Sequence, residues 1–307
     1  MPPRVLELFC GIGGLAAALP EGAEVAAALD VSELALSVYR ANLDHRTHAC
    51  AIESLRGEDP RLAEADLWWL SPPCQPYTRR GLGRDLDDPR SAGLRRVVRL
   101  LERRAPAALA LENVPEFAGS AGHGLLRAVL ERGGYTVAER LLCATALGVP
   151  NRRRRFYLVA GREELAGWAA NGDAVPQPAP PSAPPAPGLL PLASYLDPEP
   201  HPELAVDADL LRRYAPAADV VDAGDPAAVA ATFTAAYGRS PVRAGSYLRQ
   251  DGVVRRFHPR EVLRLLGFPA AHRFPDGMPL ASQWRLAGNS LSVPAVREVL
   301  SAVLPGP

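Results

Sequence analysis

A cysteine fixed between prolines is the position in this chain whose type and setting most clearly suit chemistry. Ser71-Pro72-Pro73-Cys74-Gln75-Pro76 follows a short apolar run at 67–70. The prolines hold the backbone extended and withhold ladder N–H groups, which places Cys74 in a rigid loop. A thiol attacks as its thiolate, and Arg79 and Arg80 bring positive charge close in sequence. Glu112 comes directly after a second apolar run, 107–111, and before Asn113-Val114-Pro115. Burial at a strand end raises a carboxyl's pKa and makes it a proton donor near neutral pH. A third run, 5–9, leads into Cys10-Gly11-Ile12-Gly13-Gly14, where the backbone can approach a ligand and offer N–H groups, or can simply turn tightly. Asp30 stands 19 residues after Gly11, where an acid binds ribose hydroxyls or caps the helix that Ser32-Glu33 begins. Cys10, Cys50 and Cys143 read as small buried hydrophobes.

These residues need a frame. The runs 5–9, 25–29, 67–70, 107–111 and 156–160 read as buried strands, with helix-period segments between them. The clearest helix spans 94–104, with Leu94, Val97, Val98 and Leu101 on one face and arginines on the other. The alternation predicts an α/β fold with a parallel sheet covered by helices, in which ligands collect at the carboxyl ends of strands. Eleven prolines between 176 and 202 predict a stiff extended linker. A short helix at 207–214, an irregular stretch at 231–254 and helices at 259–266 and 293–304 complete the reading. The expected division is a catalytic domain from 1–165 and 258–307, a proline-rich linker at 166–203, and a small recognition domain at 204–257.

Composition narrows the partners. The net charge is zero, from 34 basic and 34 acidic side chains, yet residues 71–160 hold 16 basic against 8 acidic and residues 232–307 hold 10 against 4. Local potential steers a polyanion, so the two basic blocks suit nucleic acid if they meet. Every basic residue is arginine, as GC-rich coding gives. The cysteines lie 40, 24 and 69 residues apart, without the spacing of a disulfide framework or a cysteine zinc site, and no metal is expected. Glu7 and the glycines interrupt the only apolar stretch near the N-terminus, which predicts a cytoplasmic protein with no membrane partner.

Taken together the motifs resemble those of the cytosine-5 methyltransferase family. Leu8 to Gly14 is similar to its cofactor loop, Pro72-Pro73-Cys74-Gln75 to its nucleophile loop, and Glu112-Asn113-Val114 to its acidic motif. Asn151 to Arg155 resembles its Q-x-R-x-R, residues 260–269 its ninth motif, and Gly288-Asn289-Ser290 its tenth, all in family order. The resemblance implies a Rossmann-like class I fold with a small irregular target-recognition domain. It implies S-adenosyl-L-methionine as cofactor, held by Phe9, Gly11, Ile12, Gly13 and Gly14, by Asp30, by Ile52 and Glu53 near the adenine, and by Ser71, Asn289 and Ser290. Cys74 would add covalently to C6 of cytosine and Glu112 would hold and protonate N3. Arg153 and Arg155, two apart on one strand face, would contact the base and its phosphates.

Within the family, Pro76-Tyr77-Thr78-Arg79 after the nucleophile and Thr232-Phe233-Thr234 with Tyr237-Gly238 and Gly245-Ser246-Tyr247-Leu248 resemble the subfamily that methylates tRNA. Thr232 departs from that subfamily's cysteine. The expected substrate is an anticodon-loop cytosine, cytosine 38 of tRNA-Asp, gripped by Arg79, Arg80, Thr232, Phe233, Thr234, Tyr237 and Arg239 on a monomeric enzyme. The alternatives are a DNA cytosine-5 methyltransferase acting on duplex DNA and a nucleic-acid-binding protein without turnover.

Overall fold

The computed structural model describes residues 2–78, 83–163, 165–168, 188–199 and 201–304. The chain forms two compact units: Met1–Leu142 with Arg154–Ala179 and Val296–Pro307, and Cys143–Arg153 with Pro180–Ala295.

The first unit is built on seven strands in the order β3-β2-β1-β4-β5-β8-β6. They are β1 (Arg4–Leu8), β2 (Glu24–Asp30), β3 (Thr47–Ala49), β4 (Leu67–Leu70), β5 (Ala108–Asn113), β6 (Thr136–Cys143) and β8 (Arg154–Gly161). Parallel strands covered on both faces read as continuous apolar runs, and the Leu-Trp-Trp-Leu of β4 is buried at all four positions. The neighbours β3-β2-β1-β4-β5 are all parallel. The register aligns Leu29, Leu8, Leu70 and Leu111 across four strands. Whatever follows each leucine therefore stands in one row along the carboxyl edge. The all-parallel expectation fails at β8, which runs antiparallel to β5 and pairs Asn113 with Phe156. This reversal brings the start of β8 to the end of β5.

Helices α1 (Glu33–Asn42), α2 (Pro60–Ala63), α3 (Ala92–Leu101) and α4 (Ala121–Arg132) belong to the same unit. In α3 the apolar stripe Leu94, Val97, Val98 and Leu101 is buried, as its 3.6-residue spacing requires, in the core that holds Trp68, Leu109, Leu126 and Phe156.

The second unit holds β7 (Asn151–Arg152) paired with β10 (Ala230–Ala231), and a three-stranded sheet of β12 (Val253–Arg256), β11 (Tyr247–Gln250) and β9 (Val220–Asp222). The stretch expected to be irregular thus contains a hairpin, and its signal lay in the sequence. Asp251-Gly252, with φ of 50° and 79°, makes the tight turn that matches strand twist. Helices α5 (Ala208–Tyr214), α6 (Pro259–Leu265) and α7 (Leu280–Gly288) complete this unit, and α8 (Val293–Val303) follows. Residues 169–187 of the expected linker lie outside the described residues. Further along, the linker stretch carries 3-10 turns at Leu192–Tyr195 and Pro202–Leu204, with Leu192 and Leu204 buried, so this part packs instead of remaining extended. Among the described residues no helix is long and apolar enough to cross a membrane.

Candidate active site

The row at the carboxyl edge consists of Asp30 at the end of β2, Phe9 after β1, Ser71 after β4 and Glu112 near the end of β5. Each comes from a separate motif, and the register brings them together.

The loop after β1 is shaped by its own backbone. Phe9 and Gly11 have φ of 61° and 55°, and Gly13 has 87°. Glycine is needed twice here for different reasons. At Gly11 the conformation alone requires it, since no atom lies within 4 Å of where a Cβ would be, which leaves open space beside the loop. At Gly13 a Cβ would also collide with Leu43 and press within 3.1 Å of Tyr39. Asp30 ties loop to strand: its Oδ2 accepts from the Gly11 N–H at 2.9 Å and its Oδ1 from the Ser32 N–H at 2.8 Å. The Asp30 carboxylate thus fixes the glycine loop, while the capping of α1 falls to Ser32.

Around this loop Gly93 of α3 approaches Phe9 so closely that a Cβ would stand 2.8 Å from the ring and 3.6 Å from a Glu53 oxygen. Val31, beside Asp30, is 74% exposed, an apolar surface next to an acid. Neither was singled out from the sequence, because the exposure of Val31 and the approach of Gly93 to Phe9 exist only once the chain is folded. Ile52 is 2% exposed and belongs to the core, while Glu53 is exposed. Ile12 is buried and Gly14 packs inside the loop. Ser71 accepts the Trp69 indole N–H at 2.8 Å.

Cys74 is partly exposed, in a turn where its carbonyl accepts from the N–H groups of Tyr77 and Thr78 at 3.0 and 3.2 Å. Asn113 donates from Nδ2 to the Pro72 carbonyl at 3.2 Å, so the residue after Glu112 also holds the cysteine loop. Tyr77 lies edge-on to Phe117 at 4.8 Å and anchors the other end. Arg79 and Arg80, the cations expected beside Cys74, lie outside the described residues. Arg90, itself paired with Asp88 at 2.7 Å, lies near enough for its charge to interact with Cys74. Opposite charge favours a thiolate.

Glu112 is 9% exposed, and Arg155 reaches it with Nε to Oε1 at 3.1 Å. The antiparallel β5-β8 pairing makes that contact. An acid at the end of a buried strand and Arg155 at the substrate were expected; the ion pair between the two was not.

Arg153 does not share a strand face with Arg155. It sits between β7 and β8, is 3% exposed, and donates to the carbonyls of Phe233 at 3.0 Å, Gly288 at 3.3 Å and Ser290. Its guanidinium is committed to backbone in the second unit, so contact with base and phosphate is not what this geometry offers it. Asn151 similarly donates to the carbonyls of Ala230 and Ala231, and Thr232 donates to that of Arg152 at 2.5 Å. Phe233 and Tyr237, expected among the nucleic-acid contacts, are interior: Tyr237 donates to Ser246 O at 2.6 Å, accepts from Phe257 N at 2.9 Å and meets the Trp284 ring edge-on. Aromatic area and a partnered hydroxyl are worth more buried than wet. Thr234 is partly exposed, and Arg239 and Asn289 face solvent, whereas Ser290 is buried.

The family model described as C-5 cytosine-specific DNA methylase matches residues 3–186 and 219–304. A tRNA (cytosine(38)-C(5))-methyltransferase of Mus musculus is 29% identical over 99% of this chain and 94% of its own length. The protein of the same name from Rattus norvegicus is 42% identical over 52% of this chain and 42% of its own. The type II methyltransferase M.NgoBI of Neisseria gonorrhoeae is 29% identical over 98% and 94%. Among solved structures, a DNMT2 of Spodoptera frugiperda aligns with a TM-score of 0.82 at 26% identity, covering 98% and 99%. The Dnmt2 methyltransferase of Schizosaccharomyces pombe gives 0.81 at 27%, again over 98% and 99%.

Proposed function

The chain belongs to the C-5 cytosine-specific DNA methylase family and is a cytosine-5 methyltransferase, and we propose that its target is an anticodon-loop cytosine of tRNA, cytosine 38 of tRNA-Asp. Likeness along nearly the whole chain to relatives named for cytosine 38 of tRNA carries this reading. The Thr232–Leu248 resemblance supports it. So does physics, because a loop cytosine is already partly unstacked and costs less to extrude than a paired base.

The residues present fit S-adenosylmethionine. Open space at Gly11, the exposed Val31 and the Phe9 ring provide an apolar cradle, and Asp30 provides an acceptor beside it for ribose hydroxyls. When bound, this cofactor supplies an electrophilic methyl on sulfonium. The chain's own residues must make cytosine C5 nucleophilic. Cys74 Sγ forms a bond to C6, and the C5–C6 π pair moves to C5. Glu112, held by Arg155, faces N3 with a hydrogen bond or proton that stabilises charge gathering on the ring. After C5 has been alkylated, loss of its proton returns the electron pair, the C6–S bond breaks, and Cys74 is restored. Asn113, through Pro72, holds the nucleophile loop in place.

A second reading, DNA as substrate, draws on the likeness to the type II enzyme M.NgoBI. The deciding experiment offers tRNA and unmethylated duplex DNA in parallel to purified protein with tritiated S-adenosylmethionine. Label in tRNA, mapped to cytosine 38 and abolished in Cys74→Ala, is the expected result. Label in DNA alone overturns the tRNA reading, and label in neither favours a binding protein without turnover.

A further inference from the structure

In the second unit Asp197, His201 and His258 converge. Each offers one ligand atom, and the three atoms lie within 4.8 Å of one another, all on partly buried side chains. No step of the methylation chemistry calls on them. We propose that they bind a divalent transition-metal ion, with Zn²⁺ the chemistry that fits the donors. Two imidazoles and one carboxylate form a nitrogen-rich, borderline set that suits zinc and disfavours magnesium or calcium, which prefer all-oxygen cages.

The surroundings of the three donors are those of a prepared site. Both ring nitrogens of His201 face carboxylates: Nε2 meets Asp197 Oδ2 at 2.8 Å and Nδ1 meets Glu203 Oε1 at 3.1 Å. A ligating histidine commonly gives its other N–H to a carboxylate that fixes the ring, and Glu203 stands where that partner belongs. The ion then replaces the proton shared between Nε2 and Oδ2. Asp197 is oriented from two further sides. Its Oδ1 accepts from Arg264 at 2.6 Å, and its backbone N–H donates to Glu261 at 3.0 Å. Arg264 is in turn held by the Tyr195 carbonyl at 2.8 Å. Oδ2 is left for the ion. The His258 ring stacks on that of His201, 4.5 Å between centroids and 18° from parallel, so the two imidazoles present their edges side by side.

One local bond opposes binding. His258 Nδ1 accepts the Arg260 N–H at 3.2 Å at the start of α6. Ligation through Nε2 moves the ring proton to Nδ1 and gives up that long bond. The other half of the cap, from the His258 N–H to Glu261 at 2.7 Å, is unaffected. An ion held here joins the turns at residues 192–204 to the start of α6, two stretches that sequence order keeps more than fifty residues apart.

The test is titration of the intact protein, first stripped with chelator, with Co²⁺ followed by displacement with Zn²⁺. The expected result is one ion per chain, with the visible absorption of low-coordinate Co²⁺ in nitrogen and oxygen ligands. His201→Gln and Asp197→Asn abolish that absorption. Glu203→Gln, on a side chain that is 59% exposed, weakens affinity by about tenfold. Zn²⁺ raises the thermal midpoint of the wild type and leaves that of His201→Gln unchanged. Absence of stoichiometric binding, thiolate-to-cobalt charge-transfer bands, or affinity undiminished in both His201→Gln and Glu203→Gln would each overturn the site.

Discussion

Glu7 lies in the middle of β1, fully buried, and its replacement by glutamine has a calculable consequence. Its Oε2 accepts from the Tyr39 hydroxyl at 3.1 Å, and that hydroxyl also meets His45 Nδ1 at 3.1 Å. Loss of water raises the carboxyl from 4.5 to about 8; bonds from Tyr39 and the Leu15 backbone pull the other way, and the charge of Asp30 adds to the rise. In the unfolded chain the same group titrates near its ordinary value. Between those two values the folded protein holds a proton that the unfolded chain has released, so stability falls as pH rises through the window. The slope is about 1.4 kcal/mol per pH unit, or roughly 5 kcal/mol across the whole interval. Glutamine preserves shape and hydrogen bonding but cannot ionise. Urea unfolding of wild type and Glu7→Gln at about pH 5.5 and about pH 7.5 should therefore show the wild type losing roughly 3 kcal/mol more than the variant. Parallel pH dependences for the two proteins would mean that Glu7 is ionised in the fold, and the desolvation argument would be refuted.

Three other outcomes are expected. Glu112→Gln should lower the rate of single-turnover methyl transfer by about 10² to 10⁴, since in the proposed mechanism it serves the substrate ring, and it should also cost some stability in urea because it removes the carboxylate paired with the largely buried Arg155. Gly288→Ala would drive a methyl into the Thr234 carbonyl group and to 2.6 Å from Ala235 N, so urea denaturation should report a loss of about 1–3 kcal/mol. Glu261→Gln leaves Arg255, whose side chain is 1% exposed and bonded to Glu261 at 2.7 and 2.8 Å, as an uncompensated buried charge; a loss of about 3–5 kcal/mol in the same assay is expected.

Much of the site was legible before any fold was known, because its chemistry is written locally. Prolines around Cys74, glycines after β1 and an acid directly after an apolar run each constrain their own few residues, and the structure keeps Phe9, Asp30, Ser71 and Glu112 at strand ends as those runs suggest. The Asp251-Gly252 hairpin was equally local and went unread. What the sequence could not fix was anything that depends on which strand lies beside which. The register aligning Leu29, Leu8, Leu70 and Leu111 is a property of four strands at once. The reversal of β8 decides that Arg155 meets Glu112, and the break between β7 and β8 decides that Arg153, two residues earlier, spends its donors on carbonyls. Phe233 and Tyr237 match a recognition motif by type, yet only packing shows that they are interior. Asp197, His201 and His258 carry no spacing that announces a site. Residue type and turn chemistry act over a few bonds and so survive in one dimension. Burial, charge pairing and ligand convergence require chain segments far apart in sequence to meet, and only the tertiary structure decided those.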